Sequence, residues 1–412
     1  MIRAISSVAA LLFGTAILLT GQGLQGTLLP VRATLESFST LSIGVMGTTY
    51  FLGFTYGCWK GSVLIRGVGH ARVFAAMTAI ASATPLLHGL LVDPWVWSLL
   101  RFVSGFCFAV LYIVIESWLN ERSTNENRGS IFSAYILINM TVLGVGQQML
   151  LFYDPIYLNL FALTSVLVSL AAVPVALSKS ENPPPVEDTR LDFRYLYRIS
   201  TVGMLGSLGC GLANGSFWAL APVFSVSNSG DISLTANFMT AVVFGGAVSQ
   251  WPLGWLSDRM DRRIVLGSIS IAGVVIGALL WLMAGVLSPT GLIVLAALWG
   301  AMAFPVYSVA VAHANDRADA GSFVMVSAGL LLMYGIGAII GPVLASAMMT
   351  IGSPGSLFLF TGIIHLLLAV YVVTRRFIRP QPPIAEHKPF SEALASTQTK
   401  SQVYEDELEK AD

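Results

Sequence analysis

The chain has 412 residues, of which 55% are hydrophobic and only 11% are charged, and its 22 basic and 22 acidic residues leave no net charge. Soluble domains are charged at about 25% of their positions, so this composition excludes an ordinary water-soluble protein and indicates no nucleic-acid partner. The three cysteines lie in apolar runs and provide neither a disulfide framework nor a metal-ligand spacing. No metal and no other cofactor is expected.

Twelve apolar segments are each long enough to cross a bilayer as a helix, which takes about 20 residues. Lipid offers no hydrogen-bond partner to an exposed backbone, so these spans are predicted to be α-helices. Turn residues at 288–291 and 352–355 divide the two longest charge-free stretches into hairpins. The predicted spans are 4–28, 41–59, 73–92, 96–118, 131–152, 156–178, 200–224, 235–256, 264–286, 290–312, 323–349 and 355–375. A cleaved signal peptide is the alternative for the first span, whose apolar run is long for one.

Basic residues indicate the orientation of these spans. With twelve spans, nearly all Lys and Arg residues fall in the termini and loops of one face; Arg32 lies in an opposite loop and Arg101 lies within a span. Such a bias marks the cytoplasmic side. We therefore expect a multi-pass protein of the bacterial inner membrane with both termini in the cytoplasm.

The spans divide into two sets of six. Residues 179–198 are polar and rich in proline, which indicates a cytoplasmic central loop between a first six-helix bundle at 1–178 and a second at 199–376. Residues 377–412 end in a charged segment without apolar periodicity, so a disordered cytoplasmic tail is predicted.

The two halves also share sequence features. A glycine, a tyrosine and an Asn-acid-Arg triplet recur at a constant offset. The matching positions are Gly105, Tyr112 and 120–122 in the first half, and Gly300, Tyr307 and 315–317 in the second. Parallel six-span repeats are an architecture of transporters, whose substrate site lies near the middle of the bilayer between the halves.

The segment "GWLSDRMDRR" at 254–263 concentrates charge in a region that is otherwise free of it. It resembles the loop signature of the major facilitator superfamily, G-x-x-x-D-R-x-G-R-R, with Asp261 in place of the usual small residue. The matching residues are Gly254, Asp258, Arg259, Arg262 and Arg263. The first-half counterpart at 61–72 is degenerate, because Ile65 stands where the acid is expected while Arg66 is kept. In span 4, "RFVSG" at 101–105 is similar to the family's R-x-x-Q-G.

The resemblance implies the major facilitator fold, an all-α integral membrane protein with twelve transmembrane helices in two parallel-repeat six-helix bundles. It further implies secondary active transport of a small solute by alternating access, in which the two bundles rock about a shared cavity. No ATP-binding, metalloprotease or serine-hydrolase motif is present, so an enzyme is not expected. The alternative, motivated by the degenerate first-half loop, is a membrane sensor or scaffold that kept the fold without transport.

The resemblance also implies that the loop at 254–263 is a cytoplasmic latch, meaning a set of ionic contacts that form in one conformation and break in the other. Asp258 would lie at the start of span 5, near Gly129 and Ser130, where the helix macrodipole favours an anion by about 0.3–1 kcal/mol. The arginines would pair with acids such as Asp316. The alternative is that they only fix the topology.

Glu116, at the inner end of span 4, has two interpretations. It pairs with Arg66 or another cytoplasmic arginine as part of the latch, or it protonates during the transport cycle, because low dielectric raises the pKa of a carboxyl group. A coupling proton therefore stays open as a partner, beside a small-molecule substrate and the lipid bilayer. A monomer suffices for this fold.

Five residues are predicted to face the central cavity. Arg101 lies about 9 Å into span 4 at 1.5 Å per residue, where a charge is costly; snorkelling to the headgroups is its alternative. Spans 1, 4, 7 and 10 line the cavity in the family, which adds Gln22, Gln25, Asn214 and, as a stacking surface, Trp218. For these, polar contacts between helices are the alternative.

Overall fold

The computed structural model describes residues 2–123, 127–177, 192–319, 322–378, 387–388 and 390, and the secondary structure of these residues is entirely helical. Fifteen α-helices and one short 3₁₀-helix at Met149–Leu151 follow one another along the chain. The α-helices are α1 Ile2–Leu35, α2 Thr40–Val68, α3 His70–Leu90, α4 Pro94–Glu121, α5 Arg128–Gln148, α6 Asn159–Leu170, α7 Ala172–Ala176, α8 Phe193–Ile199, α9 Thr201–Ser229, α10 Ile232–Arg259, α11 Arg262–Met283, α12 Pro289–Ala303, α13 Pro305–Asn315, α14 Phe323–Ile351 and α15 Ser356–Ile378.

Ten helical segments of the described chain are long and apolar enough to cross a membrane. Three of them combine neighbouring helices: α5 with the 3₁₀-helix, α6 with α7, and α12 with α13. Helices α2 and α9 have 29 residues each, so they are long enough to span a bilayer but contain more polar residues. With these two, the segments are consistent with the predicted twelve.

Local sequence determines where several helices begin. Asp93 caps α4 by accepting hydrogen bonds from the backbone N–H groups of Trp95 and Val96, and Pro94 occupies the first position, where its missing N–H costs nothing. Ser288 and Pro289 start α12 in the same way. Within predicted span 10, Pro305 separates α12 from α13, because proline lacks the N–H that would continue the helix.

The internal repeat is visible in how the helices cross. In the first half, α2 and α4 approach so closely at Gly53 and Gly105 that an added Cβ atom would collide with backbone carbonyl oxygens of the other helix. In the second half, Gly245 of α10 and Gly300 of α12 meet in the same arrangement. Small residues allow membrane helices to pack backbone against backbone. The recurrence of Gly105 as Gly300 therefore marks an equivalent helix crossing in each half.

The halves contact each other mainly through α2 with α14 and α5 with α10. Successive segments reverse direction, so the bundle has a terminal end, where α1 begins and α15 ends, and a far end opposite it. Thr48 Oγ1 near the start of α2 donates to the Ile339 carbonyl in the second half of α14 at 2.6 Å. Gln148 Nε2 at the end of α5 donates to Thr240 Oγ1 near the start of α10 at 2.9 Å. These contacts lie toward the far end.

Two regions differ from the sequence-based expectation. Residues 193–199 fall in the predicted central loop but form α8, whose Leu196 and Ile199 are buried; a helix of 7 residues is too short for a search based on membrane-spanning length. In the predicted disordered tail, His387, Lys388 and Phe390 pack against the second half. Residues 178–191 and the remainder of the predicted tail after 390 lie outside the described residues.

Candidate functional site

A cavity of about 740 Å³ lies between the two halves. Small-molecule sites usually measure about 300–1,000 Å³, so the volume suits a solute of metabolite size. All five residues predicted from the sequence line it: Gln22, Gln25, Arg101, Asn214 and Trp218. The wall also includes residues of α2, α5, α10 and α14, so it is wider than spans 1, 4, 7 and 10 alone.

A chain of polar contacts runs across the first-half wall. The Arg101 guanidinium lies over the Tyr50 ring, 4.0 Å from its centroid, and a cation in this position is attracted by the face of the ring. The Tyr50 hydroxyl accepts a hydrogen bond from Gln22 Nε2 at 2.9 Å. Gln22 Oε1 accepts one from the Tyr112 hydroxyl, also at 2.9 Å. The chain joins α1, α2 and α4 and holds Arg101 at the cavity.

The second-half wall is more aromatic. The rings of Trp218 and Phe304 lie 5.6 Å apart, and those of Tyr307 and Tyr334 lie 5.3 Å apart in a T-shaped arrangement. Asn214, one turn before Trp218, donates from Nδ2 to Cys210 Sγ at 3.2 Å. Flat π-surfaces and amide groups of the second half therefore face the polar chain of the first half.

Several buried polar atoms of the wall have no hydrogen-bond partner within the described residues. They are Gln25 Nε2, Gln147 Oε1, Asn214 Oδ1, Gln250 Oε1 and Tyr307 Oη. Leaving such a group unsatisfied costs about 1–3 kcal/mol, so native structures rarely keep them without a purpose. Both halves contribute, and a polar solute or water in the cavity would satisfy them.

The charge of the wall is simple. Among the described residues that line the cavity, Arg101 is the only one with a formal charge, and there is no Asp or Glu. A lone cation in an otherwise neutral, partly aromatic cavity can accept an uncharged solute or an anion and disfavours a cation.

The predicted latch forms an ionic cluster at the terminal end of the second half. Arg262, 1% exposed, bonds Asp316 through two nitrogens, at 2.6 and 3.2 Å, and Asp258 at 3.1 Å. It also donates to Ser257 Oγ at 3.0 Å. The predicted pairing of the loop with Asp316 is therefore present through Arg262. The surroundings of Gly129 and Ser130, the expected neighbours of Asp258, lie outside the description.

The other two arginines of the loop differ in environment. Arg263 is buried, bonds Asp261 at 2.8 Å and donates to the Arg375 carbonyl at 3.3 Å. Burial alone would raise the pKa of Asp261, but hydrogen bonds from Arg263 outweigh it and hold that pKa below its usual value. Arg259 is exposed and lies over the Trp255 ring at 4.1 Å. Only Arg262 and Arg263 are integrated into the fold.

The remaining latch candidates lie on separate elements. Glu116 is buried in α4 and accepts a hydrogen bond from the Tyr135 hydroxyl of α5 at 3.5 Å. Arg66 is exposed in the last turn of α2. Gly254 lies in α10, where an added Cβ atom would collide with the Phe390 ring. Pairing of Glu116 with Arg66 stays a prediction.

Sequence reasoning did not place several cavity residues, notably Tyr50, Tyr112, Tyr307 and Tyr334. In the sequence, Tyr112 and Tyr307 stand out only as matching positions of the repeat. That match was a usable signal. Equivalent helices of the two halves face the same central cavity, so tyrosines at the same depth in both helices can line it together. Tyr50 and Tyr334 belong to α2 and α14, whose faces toward the cavity cannot be distinguished by hydropathy.

Comparison with known proteins agrees with this architecture. The family model of the Major Facilitator Superfamily matches residues 203–407. An uncharacterized MFS-type transporter of Enterobacter sp. (strain 638) is 27% identical over 381 residues, covering 91% of this chain and 97% of its own length.

Two solved structures share the fold. The nucleoside transporter NupG superposes with a TM-score of 0.71 at 12% identity, covering 89% of this chain and 98% of its own. A bacterial homolog to the human lysosomal transporter Spinster, in an inward-facing and occupied conformation, gives 0.75 at 13% identity, with 92% and 98% covered. The chain is therefore a multi-pass membrane transporter, and it belongs to the major facilitator superfamily.

Proposed function

We propose that the chain is a secondary active transporter that moves a small solute by alternating access. The observation that carries this proposal is the cavity between the halves, whose wall combines Arg101, unsatisfied amides and aromatic rings from both halves. A solute bound there would contact both halves at once. Its binding free energy could then shift the equilibrium between their relative orientations.

The contacts between the halves suit such a cycle. They join α2 to α14 and α5 to α10 toward the far end, so this conformation corresponds to a state closed at that end. We further propose that the terminal end faces the cytoplasm of a bacterium, because basic residues collect there. One chain holds both halves and the cavity, so a monomer is sufficient.

The substrate is expected to be neutral or anionic. Among the described residues of the cavity wall no carboxylate neutralises Arg101, and the face of Tyr50 compensates its charge only in part. An anionic group of the solute would complete this environment. The unsatisfied amides of Gln25 and Asn214 would bind its polar groups.

Proton coupling, if present, is expected to involve Glu116. The cavity wall has no carboxyl group among the described residues, whereas Glu116 is buried between α4 and α5 next to Tyr135. The Glu116→Gln variant should then lose the dependence of solute flux on a pH gradient but still bind the solute. Unchanged dependence would exclude this carrier.

A ligand screen tests the proposal. Neutral and anionic metabolites are added to the purified protein in detergent and thermal unfolding is followed. A bound solute at one hundred times its Kd stabilises the native state by about 2.7 kcal/mol. Arg101→Ala should abolish the stabilisation by an anionic ligand, whereas Arg72→Ala, which removes an exposed arginine outside the cavity, should leave it unchanged.

Flux in proteoliposomes then separates transport from binding. The ligand found in the screen should cross membranes that contain the wild-type chain and should not cross those with Arg101→Ala. A ligand that stabilises the protein but never crosses the membrane, with or without an ion gradient, would contradict transport and favour the sensor alternative.

A further inference from the structure

A short part of the C-terminal tail lies in a groove on the ionic cluster of the second half. Phe390 is 6% exposed and packs in a cluster of apolar side chains to which α9, α11, α13 and α15 contribute buried residues. Its place exists because residue 254 is glycine, since a Cβ atom there would collide with the ring. The groove is thus shaped for an aromatic side chain.

The backbone of the same segment satisfies the acids of the cluster. The Phe390 N–H donates to both carboxylate oxygens of Asp258, at 3.0 and 3.2 Å. The Lys388 N–H donates to Asp316 Oδ1 at 2.9 Å, and the Lys388 carbonyl accepts a hydrogen bond from Arg262. Two backbone donors and one backbone acceptor of this segment therefore bond Asp316, Asp258 and Arg262.

Two side chains add to this recognition. The Lys388 ammonium lies 5.1 Å from the centroid of the Phe323 ring at the start of α14. His387 Nε2 lies 4.0 Å from Asp316 Oδ2, and both side chains are buried. In peptide recognition, backbone hydrogen bonds contribute affinity and a pocket for a side chain contributes specificity, and both kinds of contact are present here.

We propose that the groove formed by Gly254, Asp258, Arg262 and Asp316 is a peptide-binding site, that the chain's own tail occupies it through Lys388 and Phe390, and that its occupancy holds the transporter open at the terminal end. The first two parts concern binding and need no transport. The third rests on the proposed alternating access.

The link to conformation is a competition for Asp258. When the terminal end closes, this carboxylate is expected to meet the N-terminal N–H groups of α5 in the other half. In the present structure its oxygens accept the N–H of Phe390 and a bond from Arg262. The tail and α5 offer the same kind of donor, so a docked tail removes the acceptor that closing requires. A ligand that binds one state better shifts the population toward it.

Binding is tested on full-length chains with a fluorescent peptide that covers residues 383–394. In the wild-type chain the tethered tail occupies the groove at a high effective concentration, so the peptide should bind weakly. In the Phe390→Ala chain the tail no longer competes for the groove, and the peptide should bind at least about tenfold more tightly. A tenfold change in affinity corresponds to roughly 1.4 kcal/mol.

Two controls define the site. Adding Gly254→Ala to the Phe390→Ala chain should abolish peptide binding, whereas adding Gly67→Ala, which meets nothing within 4 Å near the end of α2, should not. A peptide that itself carries Phe390→Ala should bind at least about tenfold more weakly. Equal binding of the two peptides, or equal binding by wild-type and Phe390→Ala chains, would overturn the site.

Conformation is tested by spin-label distances between Arg72→Cys and Phe377→Cys, two exposed positions at the terminal end of different halves. Without solute, Phe390→Ala should enlarge the population with the shorter distance, and added peptide should reverse the change. An unchanged distribution in a chain whose groove still binds peptide would overturn the regulatory part alone. Failure of the proposed function would instead show as absent solute flux in every variant.

Discussion

The loops that join the second and third long helices of each half occupy equivalent positions but are built from opposite chemistry. In the first half, Ile65 is 1% exposed and packs in the hydrophobic core, and α3 begins directly after Gly69 at φ +88°. In the second half, the partly exposed Asp258 and the buried Asp316 both bond the buried Arg262. Apolar packing is adequate to hold such a turn. Charged side chains are needed only where ionic contacts must change between conformations. Control of the conformational change is therefore expected to reside in the loop of the second half.

The glycines that begin these two loops show the same difference. An added Cβ at Gly61 would press on the end of the Ile113 side chain of α4, within the first half, whereas at Gly254 it would meet the ring of the tail residue Phe390. The first glycine serves helix packing. Gly254 instead leaves space for the tail, a segment distant in the chain. The contacts that are expected to change between conformations therefore again lie in the second half.

The largest expected effect is on stability and comes from Arg262→Ala. Removing one partner of a buried ion pair leaves uncompensated charge and costs about 3–5 kcal/mol, here because Asp316 is only 3% exposed. Unfolding in detergent measures the loss. Arg259→Ala is the matched control, since this exposed arginine should change stability by less than about 0.5 kcal/mol. Equal losses would contradict a special role for the buried cluster.

The next effect tests whether the halves are true repeats at their helix crossings. Gly105→Ala and Gly300→Ala each place a methyl group against backbone of the neighbouring helix, and overpacking typically costs about 1–3 kcal/mol. The two losses should be similar. Gly67→Ala, in open space within α2, should instead stabilise by up to about 1 kcal/mol. Dissimilar losses at the two crossings would argue against structural equivalence.

A smaller effect separates the two loops in transport. Asp258→Asn should reduce flux per folded molecule by about fivefold or more, corresponding to a coupling free energy of roughly 1 kcal/mol. Ile65→Leu, which conserves volume and should cost less than about 1.5 kcal/mol of stability, should leave flux unchanged. Both rates are measured in proteoliposomes with the ligand from the thermal screen. Equal rates in the two variants would contradict the proposed difference between the first-half and second-half loops.

The smallest effect concerns pH. Asp261 caps α11, whereas Gly69 stands before α3 without a side-chain cap. The pKa of Asp261 is lowered in the folded state, so its contribution to stability is present above the ordinary carboxyl pKa of about 4 and is lost as the pH falls through the lower folded value. Asp261→Asn should flatten this acid-side dependence by less than about 1 kcal/mol. Unfolding measured between pH 3 and about 6 should show the same slope in both proteins if the account is wrong.

The sequence predicted the membrane-spanning framework because length and apolarity decide it. Together with the family resemblance, which implies that spans 1 and 7 line the cavity, it also placed Gln22, Gln25 and Asn214 on the cavity wall. It could not predict that Arg101 lies over Tyr50, because hydropathy does not determine which face of α2 turns inward. The tail contact could not be predicted either, because it uses backbone atoms of Lys388 and Phe390. Almost every residue has a backbone N–H, so the residue type does not show which of these groups forms a bond.

The central claim, that two halves expose a shared cavity alternately, is tested most directly by paired distance measurements. Spin labels are placed at Arg72→Cys and Phe377→Cys for the terminal end, and at Tyr157→Cys and Val286→Cys, both exposed, for the far end. The native Cys58, Cys107 and Cys210 are replaced by serine in this background. The account predicts that ligand changes the two distance distributions in opposite directions, one shortening as the other lengthens. Distributions that stay fixed, or that shorten together at both ends, would contradict it.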